Sequence, residues 1–205
     1  MEGMNKPKIL VFAGPNGSGK STVTSNERIV GFYVNADEIE KLRDCTPLEA
    51  AKITEATREY FVDHMLSFTM ETVLSTTRNI DLLTRARSLG FEITCIYVTT
   101  SNPAINVARA KLRLQKTNHG VGIEKGKVDE QKIIDRYHRA MKLIPQLCKV
   151  CDRLLIFDNS FDRSQGKPSL IAEIQNGNVS IYPSSIWNES AIQNFLSGEY
   201  IPDSI

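Results

Sequence analysis

The sequence predicts an α/β fold in which a mostly parallel sheet is covered by helices. Three observations point there. Short apolar, β-branched runs alternate with longer helical stretches, turn residues separate them, and the chain is long enough to bury a core. Its 205 residues make one domain of ordinary size, at roughly 100–200 residues per domain, or one domain with a small appendage. Apolar residues form 41% of the chain, which excludes global disorder. With 25 Lys+Arg against 24 Asp+Glu the formal net charge is +1, and no block of like charge occurs. That balance speaks against a nucleic-acid arm or an acidic tail. No run approaches the roughly 18 apolar residues of a membrane span. The apolar run Ile9–Ala13 is too brief for a secretory signal. A cytoplasmic protein that engages neither membrane nor nucleic acid is expected.

Taken in order, Lys8–Ala13 reads as a buried strand and Phe32–Asn35 as a short second one. Pro47 opens a helical stretch to about Ser67, rich in Ala, Glu and Lys. Phe68–Leu74 is strand-like, Asn79–Leu89 is helical with Gly90 placed to end it, and Phe91–Thr99 is the clearest strand. Asn102 is placed to cap a helix opened by Pro103, on which Arg109, Arg113 and Lys116 share one face. A loop over Thr117–Val128 carries Gly120, Gly122 and Gly126 beside Lys125 and Lys127. Asp129 caps the next helix, whose apolar seam is Ile133, Tyr137, Met141, Ile144 and Cys148; Pro145 should kink or shorten it. Leu154–Phe157 is the last core strand. Beyond Lys167 the sequence predicts a hairpin, Leu170–Ile174 and Val179–Tyr182 about an Asn176-Gly177 turn, then a helix near Asn188–Leu196. The expected division is therefore a main domain over 1–167 and a C-terminal hairpin-and-helix appendage over 168–205, packed on it.

Cys45, Cys95, Cys148 and Cys151 are too few and too scattered for a disulfide framework. Cys148-x-x-Cys151 has the spacing of a zinc or redox pair. Neither His119 nor His138 adds the further ligands zinc would need, so reduced thiols at a helix end are the reading.

The sharpest signal is Gly14-Pro15-Asn16-Gly17-Ser18-Gly19-Lys20-Ser21, with Thr22 following: a complete G-x-x-x-x-G-K-[ST] pattern between a buried strand and a helix. Its chemistry is that of polyphosphate capture. Glycines let successive backbone N–H groups converge on phosphate oxygens, Lys20 neutralises the β/γ-phosphates, and the Ser21 hydroxyl takes a place on Mg²⁺. ATP and Mg²⁺ are the implied cofactors, and a P-loop NTPase fold of three α/β/α layers follows. No guanine-reading Asn-Lys-x-Asp, no Asp-Glu ATPase pair and no protein-kinase catalytic loop accompanies the motif. What remains is a small P-loop phosphotransferase, which needs a base for the acceptor hydroxyl and a basic lid.

Acceptor-side groups should follow the strands, because ligands of open α/β sheets lie beyond the strands' carboxyl ends. Asp37, in Asn35-Ala36-Asp37-Glu38, is placed either to accept a hydroxyl proton or to cap the helix that follows. Glu71 and Thr72 end the third strand, where a Glu in an apolar run favours a cleft. Arg109, Arg113 and Lys116 suit a lid or an ordinary solvated helix face. Arg136, beside the apolar seam, points either to the cleft or to a neighbouring acid. Trp187 reads as a packing anchor.

Together, Ala13–Thr22, Val34-Asn35-Ala36-Asp37-Glu38-Ile39, Met70-Glu71-Thr72-Val73-Leu74-Ser75, the Arg109/Arg113 pair, Ile134-Asp135-Arg136-Tyr137 and Phe157-Asp158-Asn159-Ser160 resemble the zeta toxin family of P-loop kinases. The resemblance covers about Lys8 to Ser160. It implies ATP-dependent phosphorylation of a sugar hydroxyl of a UDP-amino sugar such as UDP-N-acetylglucosamine, and it leaves room for an antitoxin protein as partner. Asp37 would be the base, and Glu71 would orient the substrate beside Thr72 and Arg109. Lys20, Ser21, Arg113 and Arg136 would manage phosphate and Mg²⁺, with Asp158-Asn159-Ser160 either near the nucleotide or a structural turn. Two departures stand out: Asn118-His119-Gly120 replaces the family's usual lid sequence, and Val73 stands where the family has a second Thr. The alternatives are a kinase acting on another metabolite, such as a nucleoside or nucleotide, and a silent protein in which ATP only orders a binding surface.

Overall fold

The computed structural model describes residues 6–25, 27–117, 129–161 and 166–199. The glycine-bearing stretch 118–128 lies outside them. The chain runs β1 (Lys8–Ala13), α1 (Lys20–Thr24), β2 (Phe32–Val34), α2 (Ala36–Arg43), α3 (Pro47–Asp63), β3 (Phe68–Thr72), α4 (Arg78–Ser88) and β4 (Glu92–Thr99). It continues through α5 (Pro103–Thr117), α6 (Glu130–Lys142), α7 (Ile144–Val150), β5 (Arg153–Asp158), β6 (Ser169–Gln175), β7 (Asn178–Ile181) and α8 (Glu189–Ser197).

Local chemistry sets the boundaries. Thr46 and Glu49 form a reciprocal capping box at α3: Glu49 N donates to Thr46 Oγ1 at 3.3 Å, and Thr46 N to Glu49 Oε2 at 2.9 Å. Asn102 Oδ1 accepts from Ala104 N at 2.8 Å and Asp129 Oδ1 from Lys132 N at 2.9 Å, as the sequence predicts. Pro145 does more than kink its helix. Leu143 ends α6 and caps α7, so the apolar seam is carried by two helices.

The strands form one sheet in the order β2-β3-β1-β4-β5-β6-β7. Pairings from β2 to β5 are parallel, and β6 and β7 are antiparallel. The C-terminal hairpin thus continues the same sheet: β6 pairs with β5 from Arg153↔Gln175 to Asp158↔Ser169. Alternation along β1 divides the core. Ile9, Val11 and Ala13 face a large cluster with Phe68, Ile93, Leu154 and helical Leu83, Tyr137 and Leu147. Leu10 and Phe12 face a smaller one with Ile96 and Val98, capped by Val23, Val30 and Tyr33. Trp187 (1% exposed) and Phe195 (0%) join the large cluster, so α8 is pinned to it. All four cysteines are free thiols. No helix among the described residues is long and apolar enough to cross a membrane.

Candidate active site

The motif residues gather where β1, β2 and β3 end. Gly14 leaves β1 at φ +142°, and a Cβ there would run into the Val98 carbonyl. Gly19 caps α1 at φ +88°, where a Cβ would strike the Asn159 side-chain nitrogen. Both positions therefore demand glycine. α1 itself is short, five residues. The loop is fastened from several sides. Gly14 N donates to Thr72 O (3.2 Å), Ser18 N to Pro15 O (3.2 Å) and Thr22 N to Gly19 O (2.9 Å). Asn106 Nδ2 donates to Asn16 O at 2.9 Å and Asn159 Nδ2 to Ser18 O at 2.8 Å. The Asp158-Asn159-Ser160 turn therefore braces the loop. Ser18 is fully buried, and its Oγ has no hydrogen-bond partner among the described residues. A rigid glycine cradle with an unused buried hydroxyl beneath it fits a polyphosphate.

Lys20 is almost completely buried. Its ammonium donates to the carbonyls of Gly14 (2.9 Å) and Pro15 (3.3 Å) and lies 3.8 Å from Glu71 Oε1. Burial pulls its pKa below the ordinary lysine value. Glu71 opposes that shift most strongly, Arg113 reinforces it, and Asp37 weakly opposes it. The two acids and the arginine are thus electrically within reach of the P-loop lysine.

Glu71 is held from its other side. Tyr33 OH and Asn35 Nδ2 donate to its Oε2 at 3.1 and 3.2 Å. Asn35 also caps α2, its Oδ1 accepting from Asp37 N at 3.0 Å. The cap of α2 is therefore Asn35 and not Asp37. Burial of the Tyr33 phenol pushes its pKa up to about 12, so it stays a donor at neutral pH.

A cleft of about 590 Å³ joins these groups. It is lined by Asn16, Gly17, Gly19, Lys20 and Ser21 on one side, and by Asp37, Glu38, Arg58, Glu71, Thr72 and Val73 on the other, with Arg113 at its wall. Arg136 lies near the loop, Nη1 3.4 Å from Asn16 Oδ1. Arg109, expected beside the substrate, is placed elsewhere: its guanidinium donates to the backbone carbonyls of Asn159 (2.7 Å) and Phe161 (2.9 Å), holding the turn after β5. A larger groove of about 890 Å³ between β7 and α8 has walls of Val179, Ile181, Trp187 and Leu196 and no basic residue to meet phosphate. Among the described residues no set of His, Cys, Asp and Glu converges as a metal site.

Sequence reasoning missed Arg58, Asn79 and Asn106. A signal existed for Arg58: the buried stripe of α3 runs Ala50, Thr54, Arg58, Val62, and a charge on such a stripe is a buried charge.

No family model matches the sequence. An uncharacterized protein of Haemophilus influenzae is 28% identical over 118 residues, 55% of this chain and 84% of its own length. Among solved structures, the AvrRxo1-ORF1:AvrRxo1-ORF2 complex with sulphate ions superposes at a TM-score of 0.66 with 11% identity, covering 96% of this chain. This chain spans 65% of that one. The same complex with ATP gives 0.65 and 12%. The PezAT toxin-antitoxin system of Streptococcus pneumoniae gives 0.57 at 13% identity, over 97% of this chain and 86% of the other. The chain shares the α/β fold of these structures. In this fold the P-loop, Asp37 and Glu71 occupy the carboxyl edge of the parallel strands, where open α/β sheets place their ligands.

Proposed function

We propose that the protein is an ATP-dependent small-molecule kinase that transfers the γ-phosphoryl group to a sugar hydroxyl, with a UDP-amino sugar such as UDP-N-acetylglucosamine as acceptor. One observation carries this reading: the phosphate loop with Lys20 and the carboxylate-bearing Asp37 line a single cleft. ATP, held by Gly14–Thr22 with Mg²⁺ on Ser21, would supply the phosphoryl group and its activation.

The chain's own residues do the rest. Asp37 takes the proton of the acceptor hydroxyl as its oxygen bonds to the terminal phosphorus and the bridging P–O bond breaks, leaving ADP. Lys20 and Arg113, the cations lining the cleft beside the loop, balance charge on the transferring group, with Arg136 beside Asn16. Glu71, fixed by Tyr33 and Asn35, orients the acceptor together with Thr72. Arg109 acts by shaping the turn that carries Asn159. The kinship in fold to the PezAT system supports an antitoxin protein as partner, and the composition supports a cytoplasmic setting. The pairing of β6 with β5 and the packing of α8 on the core support reading the C-terminal hairpin and helix as part of the same folding unit.

The test is mass spectrometry of a metabolite extract incubated with the protein and Mg·ATP. A species heavier by one phosphoryl group, with a UDP-sugar as its parent, is the expected product. Phosphorylation of a different parent replaces the acceptor, and no product at all removes the kinase.

A further inference from the structure

Glu71 is the last residue but one of β3, and its carbonyl needs a partner. Backbone carbonyls alternate along a strand. The Thr72 carbonyl accepts from Gly14 N on the β1 side, so that of Glu71 faces the β2 side, as the Ser67 carbonyl does in accepting from Phe32 N. β2 is too short to serve it, because its last pairing is Val34↔Met70. A guanidinium takes the place of the missing strand. Arg58 Nη2 reaches in from α3 and donates to Glu71 O at 2.7 Å.

The same guanidinium organises the next residue. Arg58 Nη1 donates to Asn79 Oδ1 (3.2 Å), Asn79 Nδ2 donates to Thr72 Oγ1 (2.8 Å), and Thr72 Oγ1 also accepts from Leu74 N (3.0 Å). Leu74 is held at φ +54°, in the left-handed region that a leucine avoids, and is 1% exposed. Arg58 is 8% exposed and makes no direct ion pair among the described residues, and its Nε is buried without a partner. A buried cation kept without a contacting carboxylate is costly unless its position serves something.

We propose that Arg58, seconded by Asn79, is a positioning residue for the kinase reaction: it fixes the strand end that presents the Glu71 carboxylate and the Thr72 hydroxyl to the cleft. The inference rests on the kinase reading and extends it to residues outside the family resemblance.

The experiment compares wild type with Arg58→Met, Asn79→Ala, Glu71→Gln and the Arg58→Met/Glu71→Gln double variant. Two readouts are used: amide hydrogen exchange, and the rate of product formation from the extract with Mg·ATP. In Arg58→Met the Leu74 amide should exchange at least roughly tenfold faster, with Val11 and Ile96 in the central strands within about threefold of wild type. Product formation should fall roughly thirtyfold, with the Mg·ATP dissociation constant within about threefold. The double variant should lose less than the product of the two single losses, because Arg58 acts in part through Glu71. If Arg58→Met does not fold, Asn79→Ala is expected to show the Leu74 effect by itself. An unchanged Leu74 amide, or losses that multiply in the double variant, overturns the inference while wild type still makes product. Wild type that makes no product instead overturns the kinase reading beneath it.

Discussion

Asp37→Asn separates nucleotide capture from chemistry. The replacement is isosteric, and Asp37 sits inside the first turn of α2 while Asn35 supplies the cap, so the helix keeps its N-terminal hydrogen bond. Losing a carboxylate near the positive end of a helix costs under about 1 kcal/mol. Asp37 is also the weakest of the four influences on Lys20, behind burial, Glu71 and Arg113, so Mg·ATP affinity should change by less than about threefold. Phosphoryl transfer should not be spared. Removing a positioned base typically costs about 10²–10⁴ in rate, which is about 3–5 kcal/mol of barrier. The assay pairs titration with a fluorescent ATP analogue against product formation followed with γ-labelled ATP, and a thermal melt confirms the fold. Transfer by Asp37→Asn within about threefold of wild type would refute the assignment of the base. A loss of ATP affinity as large as the loss of rate would refute the separation of the two halves of the cleft.

Three further outcomes are expected. Lys20→Ala removes two hydrogen bonds from a buried ammonium and the main cation facing the phosphates, so Mg·ATP affinity should drop about 100-fold or more by the same titration; a value near wild type sinks the cradle. Glu71→Gln removes the strongest influence that favours the charged form of Lys20. The Lys20 pKa, already lowered by burial, should fall further, and the alkaline midpoint of Mg·ATP binding should move to lower pH; a fixed or raised midpoint denies the pairing. Phe195→Ala empties a fully buried site shared with Trp187 and Tyr97, which should cost about 3–5 kcal/mol in a single denaturation transition. A separate early transition for the C-terminal segment would instead show that 168–205 unfolds by itself.

What the sequence made legible, and what it did not, divides by the range of the interactions. The P-loop, the capping residues Asn102 and Asp129, the Asn176-Gly177 turn and the break at Pro145 are local chemistry, and each appears where periodicity and residue type place it. That Asp37, Glu71 and Thr72 stand at or just beyond strand ends, lining one cleft with the P-loop, was legible. Their supports were not. Asn106 holds Asn16 from 90 positions away, Asn159 holds Ser18 from 141, and Tyr33 reaches Glu71 across 38. Arg109 shows the converse. Its spacing from Arg113 puts both on one helix face, yet their surroundings differ: Arg113 lines the cleft while Arg109 meets two carbonyls beyond β5.

The contrast between the two arginines follows from the sheet order. β4 lies between β1, which launches the phosphate loop, and β5, which launches the Asn159 turn, so the helix that follows β4 stands over both. Asn106 reaches from it to the loop and Arg109 to the turn. A helix that braces both sides of the nucleotide seat cannot shift at its amino half without disturbing Asn16 and Asn159 together. Arg113, one turn further along the same helix, instead lines the cleft. Arg113→Ala should accordingly slow transfer with ATP affinity nearly kept, whereas Arg109→Ala should weaken ATP binding first, by loosening Asn159 on the Ser18 carbonyl. Titration and transfer rates measured on the same two variants decide it, and the reverse order of effects would exchange the two roles.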